Sequence, residues 1–314
     1  MITADSFPTP HLALRDPAQE RQVLTFAHEQ AAIAESLRRR LAPDWRRRTP
    51  PERVALLRRT CRIITEWRYN LAASAPGRLG AGIPLDAERF RTKIKPGQPR
   101  IDRLGYSGRL RTHTEDNPLV WDPDTHLYVG GESTPAHEIM LRYGQDAHER
   151  MDTAGAGDVL VNRVVLPSGR TLDGTTLVRG EEAQRIAAAL VARVAARGRD
   201  ASRMETGDYP VYLVTADPAA RALMLDAALN LFAADQSLDP DHALPAVQAG
   251  RYLLVEAPEY YKGADASIRV LVVVVGALLT GRAMLLEQDM DLRCLVGGQD
   301  AATEMPADTS PRSA

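Results

Sequence analysis

The sequence EAPEYYKGADASIR at residues 256–269 runs directly into VLVVVVGALL at residues 270–279. Four consecutive valines favour a buried strand, whereas the polar turn before them and the Ala and Leu residues after Gly276 are compatible with a buried helix. We predict a helix. Asp265 or Ser267 could cap it, and the amide groups of its first turn would then lack partners within the helix.

A helix that begins here would present the positive end of its dipole beside Lys262 and Gly263, with Arg269 one turn further along. Phosphate groups bind at such helix ends through free amides and nearby cations. We therefore predict that four residues form a phosphate or nucleotide site: Lys262, Gly263, Ser267 and Arg269. In the alternative interpretation, Lys262 is a solvated turn residue and Arg269 pairs with Glu256 or Glu259.

The composition is that of a globular protein, with 314 residues, 44% of them apolar and 25% charged. The apolar run at 270–279 is about half of what a membrane-spanning helix needs, and the opening residues MITADSFP lack the features of a signal peptide. With only Cys61 and Cys294, a disulfide scaffold is excluded. We predict a cytoplasmic protein, and its 36 Arg against 3 Lys indicate a GC-rich, bacterial genome.

Charge is divided unequally along the chain. Residues 1–111 contain 22 basic and 11 acidic residues, whereas residues 112–314 contain 17 basic and 30 acidic ones. The basic half could dock on the acidic half, or it could attract an acidic protein partner. We predict a basic helical region at 1–112, an acidic α+β core at 113–298 and a disordered tail at 299–314.

Five short motifs predict helix starts, because each places a capping oxygen before a proline at the first helical position. They are Asp16-Pro17, Thr49-Pro50, Thr134-Pro135, Asp217-Pro218 and Asp239-Pro240. The first two predict helices at about 17–41 and 50–71, joined by a connection short enough for an antiparallel hairpin. Thr49 and Glu52 also have the spacing of a capping box.

The remaining patterns predict a β-hairpin at 158–178, where Val and Leu alternate on both sides of a turn. Apolar periodicity predicts further helices at 181–197, 218–232 and 240–257, and a short strand at 209–215. The predicted fold class is α+β, mainly α. An N-terminal helical hairpin would pack on a helical core that carries the β-hairpin.

The order of these elements in residues 158–281 resembles the Fic (Fido) family. That family's loop reads His-Pro-Phe-x-Asp/Glu-Gly-Asn-Gly-Arg-x-x-Arg and lies between two antiparallel helices. Gly263 takes the place of the first glycine, Arg269 that of the final arginine, and Tyr260 or Tyr261 that of the aromatic residue. The resemblance implies a transferase that moves a nucleotide monophosphate or a phosphate to a protein, using a nucleotide with a divalent metal.

The motif is degenerate at the positions that carry the family's chemistry. Lys262 replaces the acidic residue, Ala264-Asp265-Ala266 replace Asn-Gly-Arg, and the place of the catalytic His falls near Ala257 or Pro258. Neither of these last two residues can act as a general base. The resemblance therefore implies a divergent transferase or a pseudoenzyme, and catalytic residues are not assigned.

Two function classes remain beside this one. The chain could be a biosynthetic enzyme with a small-molecule pocket assembled from scattered residues, or a non-catalytic regulatory or toxin-like interaction protein. Arginine clusters at 38–40, 46–48 and 58–59 could contact nucleic acid, but no DNA-binding motif accompanies them, so a solvated or internally paired face is favoured. No metal site is predicted, because HExxH and paired-Cys patterns are absent from the sequence.

Overall fold

The computed structural model describes residues 1–8, 20–75, 86–234 and 240–303. These residues form eight helices: α1 (Glu20–Trp45), α2 (Pro50–Ser74), α3 (Pro135–Thr153), α4 (Gly180–Ala195), α5 (Pro218–Ala233), α6 (Pro240–Glu256), α7 (Ala264–Thr280) and α8 (Met290–Thr303). They also form six strands: β1 (Ile101–Leu104), β2 (Val120–Asp122), β3 (Leu127–Val129), β4 (Val159–Val165), β5 (Thr171–Val178) and β6 (Val211–Val214). The predicted class, α+β and mainly α, is confirmed.

Helix α7 is the central element of the molecule. Each residue from Val270 to Val275 is at most 3% exposed, so the helix is buried on all its faces. It ends where Gly281 adopts a left-handed conformation and donates from its amide to the carbonyl of Ala277, a common helix terminus. The predicted helix is confirmed, because burial among other helices outweighs the strand propensity of the valines.

The two N-terminal helices pack on α7. Helices α1, α2 and α6 all contact α7, while α1 and α2 touch each other at few points although a short connection joins them. One face of α1 is buried as its apolar period predicts: Val23, Ala27, Ala31, Ala34, Leu37 and Leu41. The basic N-terminal helices therefore share one hydrophobic core with α5, α6, α7 and α8.

Four of the predicted helix starts are confirmed, since α2, α3, α5 and α6 begin at the expected prolines. Thr49 and Glu52 form the predicted capping box. Thr134 accepts a hydrogen bond from the amide of His137 at the start of α3. The fifth motif, Asp16-Pro17, lies outside the described residues.

A four-stranded antiparallel sheet covers one end of the helical core, in the order β1-β6-β5-β4. The predicted hairpin is its β4–β5 half, and the predicted strand at 209–215 is β6. Glu256, at the C-terminus of α6, joins the hairpin to the core. Its carboxylate is fully buried and accepts hydrogen bonds from the Asn162 side chain (2.8 Å) and the Thr175 amide (2.6 Å).

Three observed features were not predicted: strand β1, the β2–β3 hairpin and helix α8. Residues 299–303, predicted to start the tail, belong to α8, where the Gln299 side chain bonds both the amide and the carbonyl of Val165. Residues 304–314 lie outside the described residues. Within the described ranges, none of the helices is both long and apolar enough to cross a membrane.

Candidate functional site at the start of α7

The turn between α6 and α7 is fixed by backbone hydrogen bonds to the segment 89–94. The amide of Lys262 donates to the carbonyl of Arg89 (3.1 Å), and the amide of Tyr261 donates to the carbonyl of Thr92 (3.3 Å). These bonds pair the turn with the segment 89–94 in the way that two neighbouring strands are paired. Backbone hydrogen bonds therefore fix the position of Lys262.

Gly263 allows the turn to enter the helix. Its φ of 78° lies in the left-handed region, which a glycine adopts at little cost. A Cβ atom at this position would lie 2.6 Å from Cδ1 of Phe90 and 3.0 Å from Cγ of Arg68. Because Gly263 has no side chain, the start of α7 can pack directly against Phe90 and α2.

The first amides of α7 face this turn. The amide of Ser267 donates to the carbonyl of Gly263 (3.1 Å), which closes the first turn. The amides of the three residues before Ser267 have no partner within the helix, since an α-helix leaves its first donors unpaired. Together with the helix dipole, they make this end of α7 electropositive.

Arg68, on α2, is a cation near this helix end that was not predicted as a site residue. Its guanidinium lies 4.3 Å from the ring centroid of Phe90 and 5.3 Å from that of Phe26. Among the described residues it makes no hydrogen bond or ion pair, and its Nε atom is buried without an acceptor. Burial lowers the pKa of Arg68 to about 10, an effect that the charge of Asp265 opposes.

Lys262, Gly263 and Ser267 line a small cavity of about 60 Å³ between the turn and α2. On the α2 side, its wall includes Cys61 and Thr65. Thr65 lies about one helical turn before Arg68, and Cys61 about two turns before it. The cavity has room for water or part of a phosphate group but not for a nucleotide. A nucleoside would therefore have to lie outside it.

Arg269 is placed differently from the other three predicted site residues. It follows Ser267 by two positions, about 200° around the helix, and it is 1% exposed. Its Nε donates to Oδ1 of Asp265 (2.7 Å), and its terminal nitrogens donate to the carbonyls of Glu287 (2.8 Å) and Gln288 (2.9 Å). Arg269 therefore holds the start of α7 to the segment that enters α8, and it does not line the cavity.

The acidic partners of Arg269 also differ from the two considered in the sequence. Within the described residues it pairs with Asp265 and lies 3.9 Å from Asp291, at the start of α8. Glu256 is instead bound to the sheet, and Glu259 pairs with Lys93 (3.3 Å). Arg269 is thus a fully partnered core residue.

Asp291, at the start of α8, is a half-buried acidic residue close to Arg269 and Asp265. Burial and the neighbouring Asp265 carboxylate raise the pKa of Asp291 to about 7, against the opposing charge of Arg269. Asp291 was not predicted as a site residue, because helix α8 was not predicted. Arg100, immediately before β1, pairs with Asp102 (2.6 Å) and acts electrostatically on Asp291 as well. These contacts add β1 and α8 to the surroundings of the site.

The start of α7 therefore has two sides. We call the side with Arg68, Lys262 and Ser267 the open side, and the side with Asp265, Arg269 and Asp291 the closed side. Within the described ranges, no group of three or more His, Cys, Asp or Glu residues could hold a metal ion. A divalent cation bound with a nucleotide would take most of its ligands from phosphate and water.

The arginine clusters of the N-terminal helices are at least partly paired within the protein. Arg38 and Arg39 both pair with Glu35, at 2.7 and 2.8 Å. Arg58 pairs with Asp226 of α5, at 2.7 Å. The pairing of Arg58 with α5 connects the basic region to the acidic one.

A comparison of the chain with protein-family models and with curated protein sequences found no match.

Proposed function

We propose that this protein is a phosphate- or nucleotide-binding transferase of Fic-like build, divergent from that family in its catalytic residues. The anionic group would bind on the open side, between Lys262, Arg68 and the first amides of α7. The observation that carries the proposal is the side chain of Arg68. Its Cγ atom lies beside Gly263, and its guanidinium stacks on Phe90 with no hydrogen-bond partner among the described residues.

An unpaired cation that is partly buried raises the free energy of the unliganded protein. A polar group removed from water without a partner costs about 1–3 kcal/mol, and more when it is charged. Arg68 recovers part of this cost by stacking on Phe90 and Phe26. A phosphate oxygen would fill its donors with charge-assisted bonds, which are among the strongest in proteins.

The open side would act on the reaction electrostatically. As the oxygen of the attacking hydroxyl bonds to phosphorus, its proton would pass to solvent water, because Asp291 lies on the closed side and is not among the residues that line the cavity. The phosphorus–oxygen bond to the leaving group would break, and the cations of the open side would stabilise its charge. Arg269 would act as a positioning residue, because it fixes Asp265 and the entry to α8.

The proposal is tested by titrating ADP into the protein in a calorimeter. Arg68→Gln and Lys262→Gln should each weaken ADP binding at least tenfold, which corresponds to about 1.4 kcal/mol. The matched control is Arg62→Gln, because Arg62 is an exposed arginine on the same helix.

Arg62→Gln should bind ADP as the unmodified protein does. Unchanged ADP affinity in both site variants, or no ADP binding by the unmodified protein, would exclude the proposed site. Melting temperatures of the variants, recorded without ADP, show whether a loss of binding reflects a loss of folding.

A further inference from the structure

A second polar cavity, of about 360 Å³, opens between α3 and α8. Its charged and hydroxyl-bearing lining residues are Arg142, Tyr143, Asp146, Arg150, Asp289 and Arg293. We infer that this cavity binds a small phosphate-type anion through Arg150 and Arg293, at a site separate from the start of α7.

Asp289 does not supply the counter-charge for those two arginines. Its Oδ2 accepts hydrogen bonds from Arg142 (2.7 Å) and from the hydroxyl of Tyr143 (2.7 Å). Arg142 and Asp289 therefore balance each other, and the Tyr143 bond holds the carboxylate in place. Asp146, the other acid of the lining, is exposed at the rim of the cavity.

Arg150 has hydrogen-bond donors without a partner among the described residues. One of its terminal nitrogens, Nη1, donates to the carbonyl of Val296, and the other lies beside Gly298. A Cβ atom at Gly298 would lie 2.7 Å from that second nitrogen, and its φ of 77° is in the left-handed region. The glycine thus makes room for the guanidinium against the backbone of α8.

Arg293 provides the second cation. Among the described residues its guanidinium has no hydrogen-bond or ion-pair partner, and its Nε atom is buried without an acceptor. A buried donor without an acceptor is costly. Two partly buried guanidinium groups with unfilled donors at one cavity form a site suited to a tetrahedral oxyanion, because arginine binds phosphate oxygens in pairs.

Inorganic phosphate is the probe, and the backbone amide signals of Gly297 and Gly298 in NMR spectra are the readout. In the unmodified protein these signals should shift saturably with phosphate. Arg293→Gln should weaken this binding at least tenfold, whereas the exposed control Arg282→Gln should leave it unchanged. Arg68→Gln should also leave it unchanged, which separates this site from the one at α7.

Should Arg293→Gln fail to fold, Arg293→Lys keeps the charge, and it should bind phosphate several-fold more weakly because the paired donors are lost. Equal phosphate affinity in the unmodified protein and in the folded Arg293 variant would overturn the inference. So would the absence of any shift at millimolar phosphate. Tighter binding of malonate than of phosphate would overturn the phosphate assignment in favour of a dicarboxylate.

Discussion

The open and closed sides of the start of α7 each contain an arginine. The two arginines differ in whether their guanidinium groups have hydrogen-bond partners within the protein. On the closed side, Arg269 has an aspartate and two carbonyls as partners and is almost inaccessible to solvent. On the open side, Arg68 is stacked on two rings and has unfilled donors. A partnered buried cation maintains the fold, whereas an unpartnered one beside a helix N-terminus is available to a ligand.

The largest expected effect tests this contrast through stability. Arg269→Met should lower the free energy of unfolding by about 3–5 kcal/mol, because it leaves Asp265, Asp291 and two carbonyls without their partner. Arg68→Met should lower it by less than about 1 kcal/mol, since it removes an unpaired, desolvated charge. Urea denaturation of both variants measures the difference, and equal losses would contradict it.

A smaller effect is expected from the glycine that joins the two sides. Gly263→Ala should cost about 2–4 kcal/mol, from left-handed strain and from the contact of its Cβ with Phe90. The matched control is Gly281→Ala at the other end of α7, where φ is 71° but no atom lies within 4 Å of the added Cβ.

The control should cost about 1 kcal/mol from strain alone. The comparison is made by thermal or urea unfolding of the two variants. Equal costs at the two positions would show that the start of α7 is not tightly packed against Phe90.

The smallest of the three effects depends on pH. Because the pKa of Asp291 is raised from 3.8 to about 7 in the folded protein, its protonated form favours folding. That contribution is fully present below about pH 4 and is lost as pH rises to about 7. Between pH 5 and pH 8 the unmodified protein should therefore lose about 2–3 kcal/mol relative to Asp291→Asn.

Urea unfolding at several pH values measures this difference. Asp300→Asn, which changes an exposed aspartate of the same helix, is the control and should follow the unmodified protein. Parallel stability profiles for the unmodified protein and Asp291→Asn would exclude a raised pKa at Asp291.

The sequence predicted the parts of the molecule that depend on local signals. The proline-headed helix starts and the stripe of α1 follow from capping and periodicity. Helix α8 lacked such a start signal, and Ile101–Leu104 is too short and too polar to be recognised as a strand without its partner β6.

The site was harder to predict, because its residues meet only through tertiary packing. Lys262, Gly263 and Ser267 line one cavity, but the partners of Arg269 lie in a segment whose position could not be known from the sequence. Nothing in the sequence distinguishes Arg68 from the other arginines of the basic helices. Its distinction comes from Phe26 and Phe90, which are distant in the chain.

The most direct test of the central claim is an experimental structure of the protein with bound ADP. We predict that a phosphate group lies within hydrogen-bond distance of the Arg68 guanidinium, the Lys262 ammonium and the first amides of α7, while Arg269 keeps its bonds to Asp265 and to the carbonyls of Glu287 and Gln288. ADP bound elsewhere, or Arg68 turned away from the nucleotide, would contradict the account.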